Sequence, residues 1–292
     1  MIKKTVILTI LISILYALVI QIGGFEGITS FNVWKRNVAR AEEFVFSEIN
    51  PEIIVVGSSA SANLINDSIS DQLYNLSTEG GNCISGIKLV NKSKKYPEIL
   101  IVEFNSLFRI EDFSIDDEVF QKGIFTLKEF NPSMRIKHRP IAYASNFLQR
   151  IKEKVEYELN INNQVFYQEK RNENNDEARS VLMKNNVEFF NHLDDKEIIN
   201  IQFKLIEKEL AELKNKGVKI ILIEIPSELE IYQSLKAKYI REIALEIANN
   251  NSFEIYVQTD NMPNRTTDGS HLDYQSSLIY SNYLKEIIKK SN

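Results

Sequence analysis

The stretch IIVVGSSASANLI, Ile53 to Ile65, changes character in its middle. Four β-branched residues, Ile53 to Val56, form a continuous apolar run of the kind that is buried on both faces of a parallel sheet, and they stop at Gly57, Ser58 and Ser59. The following ASANLI is compatible with a helix. A strand that passes through a glycine and two serines into a helix places Ser59 where backbone N–H groups converge, a suitable place to stabilise a developing oxyanion. Ser59 is then either a nucleophile or a helix cap, and serines cap helices routinely.

Outward from this stretch the same kind of run recurs. Ile99 to Phe104 (ILIVEF), Lys219 to Ile225 (KIILIEI) and Phe253 to Val257 (FEIYV) read as further strands, and Tyr74 to Leu76 as a shorter one. Between them the apolar period lengthens to three and four residues. Ile199, Phe203, Ile206, Leu210 and Leu213 predict a helix with Asp194 or Asp195 as its cap and Gly217 as its stop. Leu235, Tyr239, Ile243 and Ile247 predict another after Ser234, and Tyr280, Leu284 and Ile287 mark the last one. Strands alternating with helices predict an α/β fold with a mostly parallel sheet covered on both faces, and such sheets collect ligands at the carboxyl ends of their strands.

Composition narrows the function classes. The chain has 292 residues, 43% hydrophobic and 10% aromatic, which is a globular composition. Net charge is −5, from 35 basic and 40 acidic residues spread along the chain, so there is no basic footprint for nucleic acid. One cysteine, Cys83, excludes an intrachain disulfide and a paired-cysteine metal site; three scattered histidines, His138, His192 and His271, argue against a multi-histidine one. No cofactor or metal is expected.

The N-terminus reads as a membrane segment. Thr5 to Ile22 is eighteen residues without a charge, close to the ~20 that span a bilayer as a helix. Lys3 and Lys4 precede it and no basic residue follows at once, so the positive-inside rule leaves the rest of the chain outside the cytoplasm. No small-x-small cleavage pattern follows the apolar core, which favours an uncleaved, single-pass anchor. The organisation expected is an anchor at 1–23, a juxtamembrane segment at 24–50 with a helix over Phe31 to Asn50, and an α/β domain at 51–292.

One region interrupts the alternation. From about 107 to 195 the chain is rich in Phe, Tyr, Asn and charge, and KRNENNDEAR (Lys170 to Arg179) is too polar to pack. It reads as a largely helical insertion beside the site. Its aromatics, Phe108, Phe113, Phe120, Phe125, Tyr143 and Phe147, either line the site or form the insertion's own core.

A serine nucleophile needs a base, and TTDGSHLD, Thr266 to Asp273, offers one. Asp268 and His271 are three apart between the last strand and the last helix, so the carboxylate can orient the imidazole from within one turn.

On these residues the sequence resembles the SGNH (GDSL-like) hydrolase superfamily. Gly57-Ser58-Ser59 matches its opening Gly-Asp-Ser block, with Ser58 in place of the aspartate and Ser59 in the nucleophile's place. YNLSTEGGN offers Gly80 or Gly81 for the glycine whose N–H serves the oxyanion. IVEFNSLF keeps Asn105 for the amide donor, without the glycine and aspartate of that block. Asp268-Gly269-Ser270-His271-Leu272 fits the Asp-x-x-His-Leu block completely. Together with the apolar runs, the resemblance implies a flavodoxin-like three-layer sandwich of about five strands, with Ser59, Asp268 and His271 catalytic and the Ser59 N–H, Gly80 or Gly81, and Asn105 around the oxyanion.

Gly-Ser-Ser behind one N-terminal anchor is similar to the exported branch that acylates cell-envelope polymers beside a membrane-bound O-acyltransferase. The resemblance therefore implies an extracytoplasmic O-acyltransferase or esterase with a polysaccharide or other surface polymer as substrate. A non-catalytic scaffold of the same fold, binding glycan or a partner acyltransferase, is the alternative.

Overall fold

The computed structural model describes residues 2–23, 33–110, 114–139, 164–259, 262 and 265–291; side chains 17, 19–23, 114 and 164–176 are outside the description. The chain divides into two compact units, one of residues 1–46 with 114–166 and one of 47–113 with 167–292. The stretch read as an insertion, about 107–195, is thus shared between them.

The larger unit is α/β. Its five strands are β1 (Ile53–Val56), β2 (Leu73–Asn75), β3 (Ile99–Glu103), β4 (Lys219–Ile223) and β5 (Glu254–Tyr256). All pair in parallel in the order β2-β1-β3-β4-β5, which is the flavodoxin-like order. β1 and β3 are buried at every residue, as continuous apolar runs require when helices cover both faces. Alternation then sorts the side chains. Ile53, Val55, Ile99, Ile101, Ile221 and Ile223 form one core with Tyr280, Leu284 and Ile287 of the last helix, Tyr274–Ser291. On the opposite face the helix Cys83–Ser93 comes so close to β1 that a Cβ on Gly86 would lie 2.6 Å from a Val56 methyl.

Local signals account for the helix limits. Lys196–Asn215 starts after Asp195, whose side chain makes no cap hydrogen bond and pairs with Lys236 instead, and Gly217 behind it has φ +88°, the left-handed conformation that glycine tolerates. Leu235–Asn251 is capped by Ser234, whose hydroxyl accepts the Ala237 N–H.

The smaller unit contains the helices Ile2–Gly23, Val33–Phe46, Ser114–Val119 and Phe125–Phe130. The second of these lies within the expected span Phe31 to Asn50, of which Phe31 and Asn32 are outside the described residues. It buries Val38, Ala41 and Phe44 at helical spacing. Lys128 is fully buried, 2.9 Å from Glu42, and Glu42 in turn accepts the Ile136 N–H at 2.6 Å. Phe120 stacks on Phe125, which also meets Phe46, so these two half-buried aromatics pack within the smaller unit. Phe113, Tyr143 and Phe147 lie outside the described residues.

Among the described residues no helix is long and apolar enough to cross a membrane. The expected anchor, Thr5 to Ile22, falls in the helix Ile2–Gly23, and part of it lies outside the described side chains. Those described expose large apolar groups, Val6, Ile10, Ile14 and Leu18 among them.

Candidate active site

In a sheet of this order the chain leaves β1 to one side for β2 and returns to the other for β3, and the carboxyl ends of β1 and β3 flank the resulting crevice. Gly57, Ser58 and Ser59 follow β1 there, and Phe104, Asn105 and Ser106 follow β3. Ser58 and Ser59 divide the two roles open to a serine in this place. Ser58 is the cap of the short helix Ser59–Ala62, its hydroxyl accepting the Ala60 N–H at 3.2 Å. That leaves the Ser59 hydroxyl for other use, and its Oγ lies 2.7 Å from His271 Nε2.

His271 arrives across 212 residues of sequence on the loop between β5 and the last helix. Its Nδ1 is 2.6 Å from Asp268 Oδ2. The other oxygen, Oδ1, accepts the backbone N–H groups of Ser270 and His271 at 2.9 and 2.8 Å. Burial opposes the charge on Asp268, but the imidazole and these two N–H groups outweigh it and hold the carboxyl well below the ordinary carboxylate range. An ionised carboxylate only accepts, so Nδ1 carries the proton, and in the neutral ring Nε2 is free to accept from Ser59.

The loop that carries this pair is secured from several sides. Gly269 has φ +99°, so a side chain there would be strained. The Gly269 N–H donates to Thr266 Oγ1 at 2.8 Å, and Glu228 accepts from both the N–H and the hydroxyl of Thr266. The helix Gln164–Phe190 reaches the same loop. Arg179 donates to the Thr266 carbonyl and pairs with Glu228, and Asn186 donates to the Asp268 carbonyl at 3.0 Å. Arg179 closes the stretch read as too polar to pack, and its own side chain is engaged by the Thr266 carbonyl and Glu228.

Beneath Ser59 sits Glu103, the last residue of β3 and 1% exposed. Its Oε2 accepts the Ser58 N–H at 2.6 Å and the Ser61 hydroxyl at 3.3 Å, and its Oε1 accepts the Ser106 N–H at 3.2 Å. One buried carboxylate thus ties the turns after β1 and β3 together.

Ser59, Asp268, His271 and Asn105 line one cavity of about 380 Å³, together with Phe108, Arg109, Asn186, Phe189 and Phe190. The Asn105 amide is paired with the backbone of Ile225, donating to its carbonyl at 2.9 Å and accepting its N–H at 2.8 Å, which leaves one amide N–H uncommitted by that pair. Gly80 and Gly81 do not line this cavity. Gly80 is exposed in a turn at φ +76°, and the Gly81 N–H donates to the Thr78 carbonyl.

Sequence reasoning missed Glu103, Arg109, Asn186, Phe189 and Phe190. Glu103 had a visible signal, an acidic residue closing the apolar run ILIVEF. Asn186, Phe189 and Phe190 had none, because their helix reaches the site only through the fold.

No protein-family model matches the chain, and no curated protein sequence matches it.

Proposed function

We propose that this chain is a serine-dependent O-acyltransferase or esterase that acts through an acyl-serine intermediate on a polymer of the cell envelope. The observation that carries this reading is the unbroken line from Ser59 Oγ to His271 Nε2 and from His271 Nδ1 to Asp268 Oδ2, at 2.7 and 2.6 Å, opening into a cavity. Nucleophile, base and orienting carboxylate stand in the order that acyl transfer needs.

As Ser59 Oγ bonds to the carbonyl carbon of an ester, its proton passes to His271 Nε2, and Asp268 stabilises the imidazolium that forms. The Ser59 N–H and the uncommitted Asn105 amide N–H are the donors available to the oxyanion. On collapse the bond to the leaving oxygen breaks, and that oxygen takes the proton from Nε2. An acceptor hydroxyl, or water, then gives its proton to Nε2 as it attacks the acyl-serine, and when the bond from Ser59 Oγ to the acyl carbon breaks, Nε2 returns that proton to Oγ. Phe108, Phe189 and Phe190 wall the cavity with apolar surface, which limits competing water and favours transfer.

The polymer class rests on the resemblance of Gly57-Ser58-Ser59 and Asp268-x-x-His271-Leu272 to the SGNH blocks, as does a membrane-bound O-acyltransferase as partner. Extracytoplasmic placement rests on Lys3 and Lys4 ahead of the uncharged Thr5 to Ile22 and on the exposed apolar side chains of that helix. The test is labelling of the full chain by a fluorophosphonate, followed by peptide mapping. Adduct on Ser59, lost in His271→Ala, is expected. Absence of adduct, with normal binding of glycan or of an acyltransferase, would leave the scaffold reading in its place.

A further inference from the structure

Among the described residues lining the Ser59 cavity, Arg109 is the one arginine and there is no lysine. It is half-buried, with its guanidinium carbon 5.6 Å from the centre of the Phe108 ring. Its backbone is fixed, the N–H donating to the Ser106 carbonyl and the carbonyl accepting from Asn82 at 2.8 Å. Its guanidinium has no carboxylate partner among the described residues.

The cavity's own carboxylates are already engaged. Glu224 is held by Arg241 through a two-pronged pair, Nε to Oε2 at 2.9 Å and a terminal nitrogen to Oε1 at 2.6 Å. Asp268 is held by His271 and two backbone N–H groups. Lys236, behind the aromatic wall, pairs with Asp195 at 2.8 Å and lies 3.6 Å from the centre of the Phe189 ring. Each of these neighbouring ionic groups therefore has its counterpart, and among the described residues Arg109 has none. Its planar fork of donors matches the oxygens of a carboxylate or phosphate.

We propose that the Ser59 cavity takes a substrate bearing an anionic group, which Arg109 binds while Phe108 and Phe189 cover its apolar part. This deepens the acyl-transfer reading and rests on it for the identity of the cavity as the substrate site. The charge can belong to the acyl group or to the alcohol side of the ester, and both sources present the same oxygens to Arg109.

The full chain carrying Ser59→Ala, which cannot turn over, is titrated by NMR with phenyl acetate, with 3-acetoxybenzoate (charge on the alcohol side) and with monophenyl glutarate (charge on the acyl side). At least one anionic ester is expected to bind about tenfold more tightly than the neutral one; which one identifies the source. That ratio should collapse with Arg109→Gln, persist in large part with Arg109→Lys, and shrink as salt is raised in the protein that keeps Arg109. Equal affinity for charged and neutral esters, or a preference that survives Arg109→Gln or is indifferent to salt, overturns the proposal. Turnover of the same esters is measured separately with Ser59 intact. If none is cleaved while the Arg109-dependent preference holds, the acyl-transfer reading fails and the anion site stands.

Discussion

The carboxylate of Glu103 accepts the backbone N–H of Ser58 at 2.6 Å, from a position 1% exposed and directly below the turn that presents Ser59. Its second oxygen accepts the Ser106 N–H, so one side chain fixes the strand ends on both sides of the crevice. Glutamine has the same shape but one acceptor oxygen, and its NH₂ would face a backbone N–H. Glu103→Gln is therefore expected to lower stability by about 1–3 kcal/mol, the cost of leaving a buried donor unpaired. Urea unfolding measures it. Ester turnover should fall with it, as Ser59 loses its fixed position.

Gly57 occupies the narrowest point of this arrangement. A Cβ there would lie 2.2 Å from Ser61 Oγ and 2.6 Å from Glu103 Oε2. Both groups are buried and hydrogen-bonded, so neither can yield cheaply. Gly57→Ala should destabilise by roughly 1–3 kcal/mol, in the range of overpacked cores, and should reduce fluorophosphonate labelling of Ser59. A wild-type unfolding midpoint would show that the turn accommodates a methyl group after all.

In the proposed mechanism Ser59 and His271, 2.7 Å apart, share one proton transfer, so their losses should not add. Ser59→Ala and His271→Ala are each expected to remove turnover of an aryl ester, with the double variant barely worse than either, because residues acting as a unit are strongly non-additive. Ser58→Ala should lose a helix cap only, at about 0.5–2 kcal/mol of stability. A Ser58 variant without turnover beside an active Ser59→Ala would reverse the two assignments.

Asp268 links the proposed catalysis to stability. Asp268→Asn should cut turnover by about 10⁴-fold through the wrong imidazole tautomer. Because folding lowers this carboxyl below its ordinary value of 3.8, its charge contributes stability that is fully present above that pH and is lost as the pH falls toward the folded-state value. Wild type should thus exceed Asp268→Asn in stability at pH 7, and the gap should narrow below about pH 4. Parallel urea curves of the two proteins check this, and a gap independent of pH would contradict it.

The uncharged segment Thr5 to Ile22 bears on location. An alkaline phosphatase fusion at the C-terminus should be active, since that enzyme needs an exported, oxidising compartment, and carbonate should leave the protein in the membrane pellet. Recovery in the supernatant would remove the anchor from the proposal.

Periodicity along the chain decides local features, and those were legible. The apolar runs at Ile53 to Val56, Ile99 to Phe104 and Lys219 to Ile225 contain β1, β3 and β4, because a strand buried on both faces has no polar alternation to hide it. The start signal at Ser234 and the stop signal at Gly217 act within one helical turn, so they too could be read from neighbours alone. Ser59, Asp268 and His271 stood out as residue types in marked places. Their meeting did not, for it depends on a sheet order that brings together groups 212 residues apart. Only the tertiary structure assigned the cap to Ser58, left Gly80 and Gly81 out of the cavity lining and set Glu103 under Ser59. It also brought Arg179 and Asn186 onto the loop that carries Asp268 and His271. Hydrogen bonds between distant segments leave no period in a sequence; they exist once hydrophobic burial has fixed which strand ends and helix faces are neighbours.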